Sequence, residues 1–469
     1  MTTMDNHRTG MALGSAFALA LALSCIVSSG AMAASADDPV LVVPTERGGA
    51  MLGFTARNQR SLYRGSGTRN DLFPLYLYEG DRVFLEGHRV GLRLDSERDR
   101  RFNVFLGYRL EGFPYARIPA SLAGMTNRSP GVDIGLSYRQ RSPWGTLFAE
   151  VLHDASGDSN GNEMRIGYNY PWASGRLELK PQIALAVRDG KLNNYYYGVR
   201  PSEAAAARPA YEPGGGVNAE LGVSAVYRIT ERWRLTGGLA ATRWSSGVLA
   251  SPIVERRTQL TALAGVAYDF TPGHGAWPEG RPLIVKIAYG KSSNCDVAKI
   301  MRLSCTSTDT IDQTRIAALE LGRPFIERLN GWPLDFVGYV GLLRHNERGL
   351  QDDSMQLNAY MKGYYYGFPW SNRLRTRLGF GVGFSYAERV PFVEFRDQVA
   401  RGRDSSKLLN YLDPSVDFSV GDLVGAKSLS ETYLGLGVSH RSGIFGASRL
   451  FGNVAGGSNY IYSYLEWKM

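Results

Sequence analysis

Residues 377–386 read Arg-Leu-Gly-Phe-Gly-Val-Gly-Phe-Ser-Tyr, and their parity decides the fold. In an extended chain Leu378, Phe380, Val382, Phe384 and Tyr386 share one face, while Arg377, Gly379, Gly381, Gly383 and Ser385 share the other. A tilted strand needs about 9–11 residues to cross hydrocarbon, and this stretch supplies them with one uninterrupted apolar face. Working outward, the same alternation recurs. Over 217–228 the apolar set is Val217, Ala219, Leu221, Val223, Ala225 and Tyr227, set against Asn218, Glu220, Ser224 and Arg228. Over 260–270 Leu260, Ala262, Ala264, Val266, Tyr268 and Phe270 oppose Gln259, Thr261 and Asp269. The opposite faces are built of Gly, Ser, Thr, Asn and Arg, which suits a polar lumen that is wet or plugged.

These segments predict an all-β, antiparallel transmembrane β-barrel. One boundary divides them. The alternating segment that closes on Phe270 is followed by TPGHGAWPEGRP, residues 271–282, which breaks the pattern before it restarts at Leu283. The expectation is two tandem barrels of about 10–12 and about 8 strands, over residues 34–272 and 282–469, joined by a Pro/Gly-rich linker at 273–281. A single large barrel stays open as the alternative. Trp233, Trp244, Tyr268, Tyr364 to Tyr366 and Trp370 lie near strand ends, where an interfacial aromatic girdle would place them.

The first 33 residues carry Arg8, an apolar run from 11 to 29, and Ala31-Met32-Ala33, and read as a signal peptide cleaved after Ala33. Past it no apolar run of about 18 residues occurs, so no helix is expected to cross a bilayer. Export with alternation places the chain in the outer membrane of a Gram-negative bacterium, among lipid and lipopolysaccharide. The 55 glycines, 26 tyrosines and 11% aromatic content fit strands and turns. The formal charge of +9 suits an anionic envelope surface, and export argues against nucleic acid as the partner. Cys295 and Cys305, an isolated pair in SSNCDVAKIMRLSCTSTD, read as a loop disulfide in an oxidising compartment. No HExxH, paired CxxC, P-loop or GxSxG occurs, and no metal or cofactor is expected. His153-Asp154, before Gly157 and Gly161, reads as a strand end and turn.

Residues from about 45 to 270 resemble the MltA-interacting protein family, also called MipA/OmpV. The resemblance runs in order through RGGAMLGFTARNQRSLYRGSG, LFPLYLYEGDRVFL, GVDIGLSYRQ and VLHDASGDSNGNEMRIGYNYP. It is most specific in LKPQIALAVRDGKLNNYYYGVRPSEAAAARPAYEPGGGVNAELGVSAVY, followed by SPIVER. What it implies is an outer-membrane barrel with a structural or scaffolding role in envelope and murein organisation, with a murein transglycosylase or synthase as partner. Asn193, Asn194, Tyr195, Tyr196, Tyr197, Gly198, Val199 and Glu203 are the positions for a family-specific role, and read by themselves they form a structured turn beside an aromatic girdle.

The stretch YLGLGVSHRS, 433–442, suggests a different chemistry. Alternation puts His440 and Ser442 on the face of Leu434, Leu436 and Val438, toward the outer leaflet. This His-x-Ser, followed by a loop with Asn453 and Gly456, resembles the PagL-type lipid A deacylases. That resemblance implies Ser442 as nucleophile and His440 as base in ester hydrolysis. The family's orienting Glu has no counterpart, its place being taken by Ser458 or Asn459, and Glu466 lies toward the far end of the last strand. Lipid A acyl-ester hydrolysis is therefore the alternative function, and a porin is a further one.

Overall fold

A computed structural model describes residues 49–80, 82–97, 99–113, 119–271, 282–308, 310–403, 405–443, 454 and 456–469. Residues 1–33, expected to be a signal peptide, the expected linker 273–281 and Asn453 lie outside the described residues.

The chain builds two separate closed sheets, which rules out one large barrel. The first contains β1 (Ala50–Arg60), β2 (Thr68–Glu79), β3 (Val83–Glu86), β4 (Arg89–Ser96), β5 (Arg100–Arg109), β6 (Gly131–Ser142), β7 (Gly145–Asp154) and β8 (Asn162–Asn169), then β9 (Trp172–Ser174), β10 (Leu177–Arg188), β11 (Gly216–Arg228), β12 (Trp233–Arg243) and β13 (Thr258–Asp269). Twelve of these close into an antiparallel ring through the β1–β13 and β10–β11 pairings, β9 being an extension paired with β10 alone. The second ring closes β14 (Ile284–Ser292) on β21 (Asn459–Lys468), by way of β15 (Arg315–Ile326), β16 (Leu334–Asn346), β17 (Ser354–Tyr365), β18 (Thr376–Ala387), β19 (Leu408–Ser419) and β20 (Thr432–Ser442).

Parity sorts the side chains. Leu136, Val151, Ile166, Leu185, Leu221 and Leu239 stand exposed around the first ring, and Ile287, Leu319, Val340, Leu342, Leu378 and Leu436 around the second. So many large apolar groups on one continuous outer surface would be unstable in water and are at home in lipid. No described helix is long and apolar enough to cross a membrane. In the second ring the turns 327–333, 366–375 and 420–431 lie at one end, and the described segments 293–308, 347–353 and 388–403, two of them longer, lie at the other. Outer-membrane barrels keep short turns on the periplasmic side, which orients the molecule.

The glycines of the inner faces are there for close approach. A Cβ at Gly437 would stand 2.7 Å from the Tyr462 ring, and one at Gly435 would collide with Tyr464. The small-residue face of β20 thus makes room for the tyrosines of β21, and the second lumen is filled with side chains.

Candidate functional site

Three regions carry the residues singled out by sequence. The first is a cap over the outer mouth of the first barrel. Loops from four places meet in one apolar cluster that includes Leu62, Tyr63, Phe113, Leu122, Tyr196, Tyr197, Trp244 and Ile253. Its centre is the helix Gly190–Tyr197, started by Asp189, whose carboxylate accepts from Leu192 N at 2.9 Å. Asn193 Nδ2 donates to the Gly214 carbonyl at 2.8 Å, and Gly214 N donates to Asn194 Oδ1 at 2.9 Å. Ser129 N donates to the Tyr195 hydroxyl at 2.9 Å, and the Tyr63 hydroxyl donates to the Tyr196 carbonyl at 3.0 Å. Gly198 closes the helix, its N–H donating to Asn194 O, and Val199 pairs with Tyr211.

Glu203, buried beside this helix, accepts from Arg128 Nη1, Thr126 N and Arg200 N at 3.0, 3.0 and 3.1 Å. Burial pushes its carboxyl up, but the hydrogen bonds from Arg128 and Thr126 outweigh it and hold the group down at about 2. The family-specific run is therefore a helix in the core of a cap, where sequence reading had a turn beside a girdle. Trp244 belongs to this cap as well, and Tyr364 points into the second lumen, whereas Trp233, Tyr268, Tyr365 and Trp370 keep to the outer wall or rim. The His153-Asp154 pair ends β7, with Asp154 accepting from Ser156 N at 2.9 Å and Asn160 N at 2.9 Å in the turn beyond.

Beneath the cap the first lumen is a lattice of ion pairs. Arg57 binds Asp71 at 2.7 Å, Arg109 binds Asp133 and Glu163 at 2.8 and 2.9 Å, and Arg188 grips Glu111 with two bonds of 2.9 and 2.8 Å. The second lumen is a tighter network. Lys286 Nζ reaches Glu320 at 2.9 Å, Asp413 at 3.1 Å and the hydroxyls of Tyr360 and Tyr462 at 3.1 and 3.0 Å. Lower down, Arg377 joins Asp417 and Glu466 at 2.7 and 2.8 Å, and the Tyr339 and Tyr364 hydroxyls donate to Glu466 at 2.8 and 3.1 Å. Of these lumen groups sequence reading placed Arg377 on the inward face and named Glu466 without its partners, and it missed the rest, although each sits at an inward parity position among apolar neighbours.

The second region is the outer end of β20. His440 and Ser442 share the outward face with Leu434 and Leu436, but both are buried, at 5% and 7% exposure. The loop carrying the Cys295–Cys305 disulfide folds over this corner. Cys295 and Ile300 pack on Val438, and Ser293 N donates to the Asn459 carbonyl at 2.8 Å. His440 Nδ1 lies 3.3 Å from the Ser458 carbonyl, with Asn459 opposite it in the ladder. The ring is thus held from the backbone, and the pair is screened from lipid by protein.

The third region is a cavity of about 220 Å³ at the periplasmic end of the second barrel, with Tyr364, Tyr366, Tyr433, Glu327 and Asp335 among its walls. The Tyr366 hydroxyl donates to Asp335 Oδ1 at 3.1 Å, and burial together with that carboxylate holds the phenol above its ordinary range. No group of three or more His, Cys, Asp or Glu arranged to hold a metal occurs among the described residues.

Against known proteins, residues 52–270 match the family model of the MltA-interacting protein MipA. Over that span the first barrel is similar to the MipA family. The matched span covers the cap and nearly the whole first ring, from the third residue of β1 to the end of β13. Outer membrane protein Omp26La of Vibrio anguillarum and outer membrane protein OmpV of Vibrio cholerae are each 35% identical over 150 residues, 32% of this chain and 58% of the relative. The chain therefore spans little more than half the length of these two relatives. MltA-interacting protein of Escherichia coli K12 is 26% identical over 200 residues, 42% of this chain and 80% of that protein. The names of the two Vibrio relatives place them in the outer membrane, as the barrels place this chain, and the MipA match ends where the first barrel ends.

Proposed function

We propose that this protein is an outer-membrane scaffold for murein-acting enzymes, with a murein transglycosylase as the partner. The observation that carries the proposal is the MipA match over a barrel whose outer mouth is sealed by a packed apolar cap. A lumen closed by ion pairs and a cap transports nothing through its centre, so such a barrel works by what it presents at its ends. The second lumen is filled by tyrosines around Lys286 and Lys362, which argues in the same direction. A barrel fixed in lipid, with its short turns toward murein, holds a soluble enzyme at the inner face of the outer membrane. Lipid and lipopolysaccharide are its lateral neighbours in this reading.

Affinity capture tests it. Purified full-length protein in detergent is immobilised and challenged with a lytic murein transglycosylase, with a capped porin-like barrel lacking MipA similarity as control. Retention above the control is expected, and equal retention on both sinks the scaffold reading. Planar-bilayer recording is expected to stay silent. Steady channel steps from the purified protein would revive the porin alternative.

A further inference from the structure

The cavity at the periplasmic end of the second barrel has a charge pattern that the packed lumen above it does not share. Its cations are already spent: Arg375 bonds Asp422 at 2.6 Å, Arg377 bonds Asp417 and Glu466 at 2.7 and 2.8 Å, and Lys468 bonds Glu431 at 3.0 Å. Its two rim carboxylates are different. Neither Glu327 nor Asp335 has an ion-pair partner among the described residues, and Asp335 is oriented by Arg328 N at 2.9 Å and the Tyr366 hydroxyl at 3.1 Å. Aromatic rings of Tyr364, Tyr366 and Tyr433 stand beside them. Two uncompensated carboxylates held against aromatic rings in a concave site favour a cation with an organic stem.

Size narrows the ligand. Pockets for drug-sized molecules run to about 300–1,000 Å³, so a cavity of about 220 Å³ admits one side chain or one residue, not a folded surface. We propose that this cavity receives the primary ammonium group of a murein stem peptide. The proposal rests on the murein reading given above and adds the second barrel's part in it: the MipA barrel engages the enzyme and the second barrel holds the polymer. Murein lies on the side to which the cavity opens, and its uncrosslinked stem peptides carry free side-chain amines. The contact is an ammonium between Asp335 and Glu327, with the aliphatic stem along the tyrosine walls.

Sedimentation of full-length protein with purified sacculi tests the site. Five samples are compared: native sacculi, sacculi whose free amines have been acetylated, and the variants Asp335→Asn, Glu327→Gln and their double variant against native sacculi. Folding of each variant is checked by heat-dependent gel mobility. At moderate salt, acetylation is expected to lower the bound fraction about tenfold, each variant severalfold, and the double variant as far as acetylation does. Transglycosylase capture is read in parallel and is expected to be unchanged by either substitution. Binding of native and acetylated sacculi to the same extent overturns the proposal. So does wild-type protein that captures the enzyme but ignores sacculi, which leaves the scaffold reading standing. Loss of enzyme capture in Asp335→Asn with sacculus binding intact also overturns it, and assigns the cavity to a lysine of a protein partner. If wild type retains neither enzyme nor sacculi, both readings fall together.

Discussion

The two barrels bury charge in opposite ways. In the first, arginines span a twelve-strand lumen to one or more carboxylates, and several guanidinium groups keep N–H bonds without a hydrogen-bond acceptor among the described residues: Nε and Nη1 of Arg57, and Nε of Arg109 and Arg188. Buried donors in that state ask for ordered water. In the second, Lys286 meets four oxygens and every tyrosine of β21 finds a partner. Ring size explains the contrast. Eight strands leave a lumen that side chains alone can fill, and twelve leave space that arginines span only partly, so the wider barrel needs a cap and water to close it.

The largest effect that sharpens this comparison is expected at Lys286. Replacing it by Met takes from Glu320 its only ion-pair partner among the described residues and leaves Asp413 with Lys362 as its one cation, in a site almost free of solvent. Removing one partner of such a group costs about 3–5 kcal/mol. Hydrogen exchange followed segment by segment should show β14–β21 opening while β1–β13 keeps its protection. Equal loosening of both barrels would mean that they are one cooperative unit. The next effect tests the tight filling directly. Gly437→Val drives two methyl groups into the Tyr462 ring, and overpacking of this order costs about 1–3 kcal/mol. Unfolding in denaturant, read for the second barrel, should shift by that amount, and an unchanged midpoint would mean that the lumen is looser than its contacts indicate.

Arg57→Met supplies the matching experiment in the first barrel. It removes the 2.7 Å ion pair of Asp71, but water already required by the unsatisfied guanidinium can solvate the carboxylate. The expected loss is about 2 kcal/mol, below that of Lys286→Met. A loss as large as that of Lys286→Met would show that the wide lumen is as dry as the narrow one, and the contrast would collapse.

The sequence made the outer walls legible and the interiors only in part, for a physical reason. Lipid contact asks the same thing of every outward position, so Leu378 to Tyr386 or Val217 to Tyr227 announce themselves by parity alone. A lumen asks for partners across the barrel. Lys286 and Asp413 are 127 residues apart, and nothing local says that they meet. The tyrosine run Tyr460, Tyr462, Tyr464 did carry a signal, since it stands opposite the small-residue face of β20 in the ladder. Parity also separates Tyr364 in the lumen from Tyr365 outside, a distinction that a girdle argument from composition alone passes over. The cap was invisible for the same reason as the lumens: Leu62, Phe113, Tyr197 and Trp244 come from four loops whose meeting only the closed ring brings about. His440 and Ser442 fell where parity put them, and the cover over them comes from a loop nearly 150 residues earlier in the chain.

The smallest expected effect separates cap from wall in the first barrel. Glu203 has its carboxyl held at about 2 in the folded cap, against an ordinary value near 4.5. A carboxyl depressed by folding adds stability that is fully present above its unfolded value and drains away as pH falls from about 4.5 toward 2. Allowing for residual solvent access, the contribution is about 1–2 kcal/mol. Acidification over that window should loosen 119–130 and 189–215 in hydrogen exchange, while the paired strands stay protected. Glu203→Gln keeps the shape, weakens the bonds to Arg128, and removes the proton uptake, so its cap should be less protected at neutral pH and flat across the same window. If the variant kept the wild-type acid dependence, the titrating group would lie elsewhere, and the cap would be held by its apolar core around Tyr197 rather than by the Arg128–Glu203 clasp.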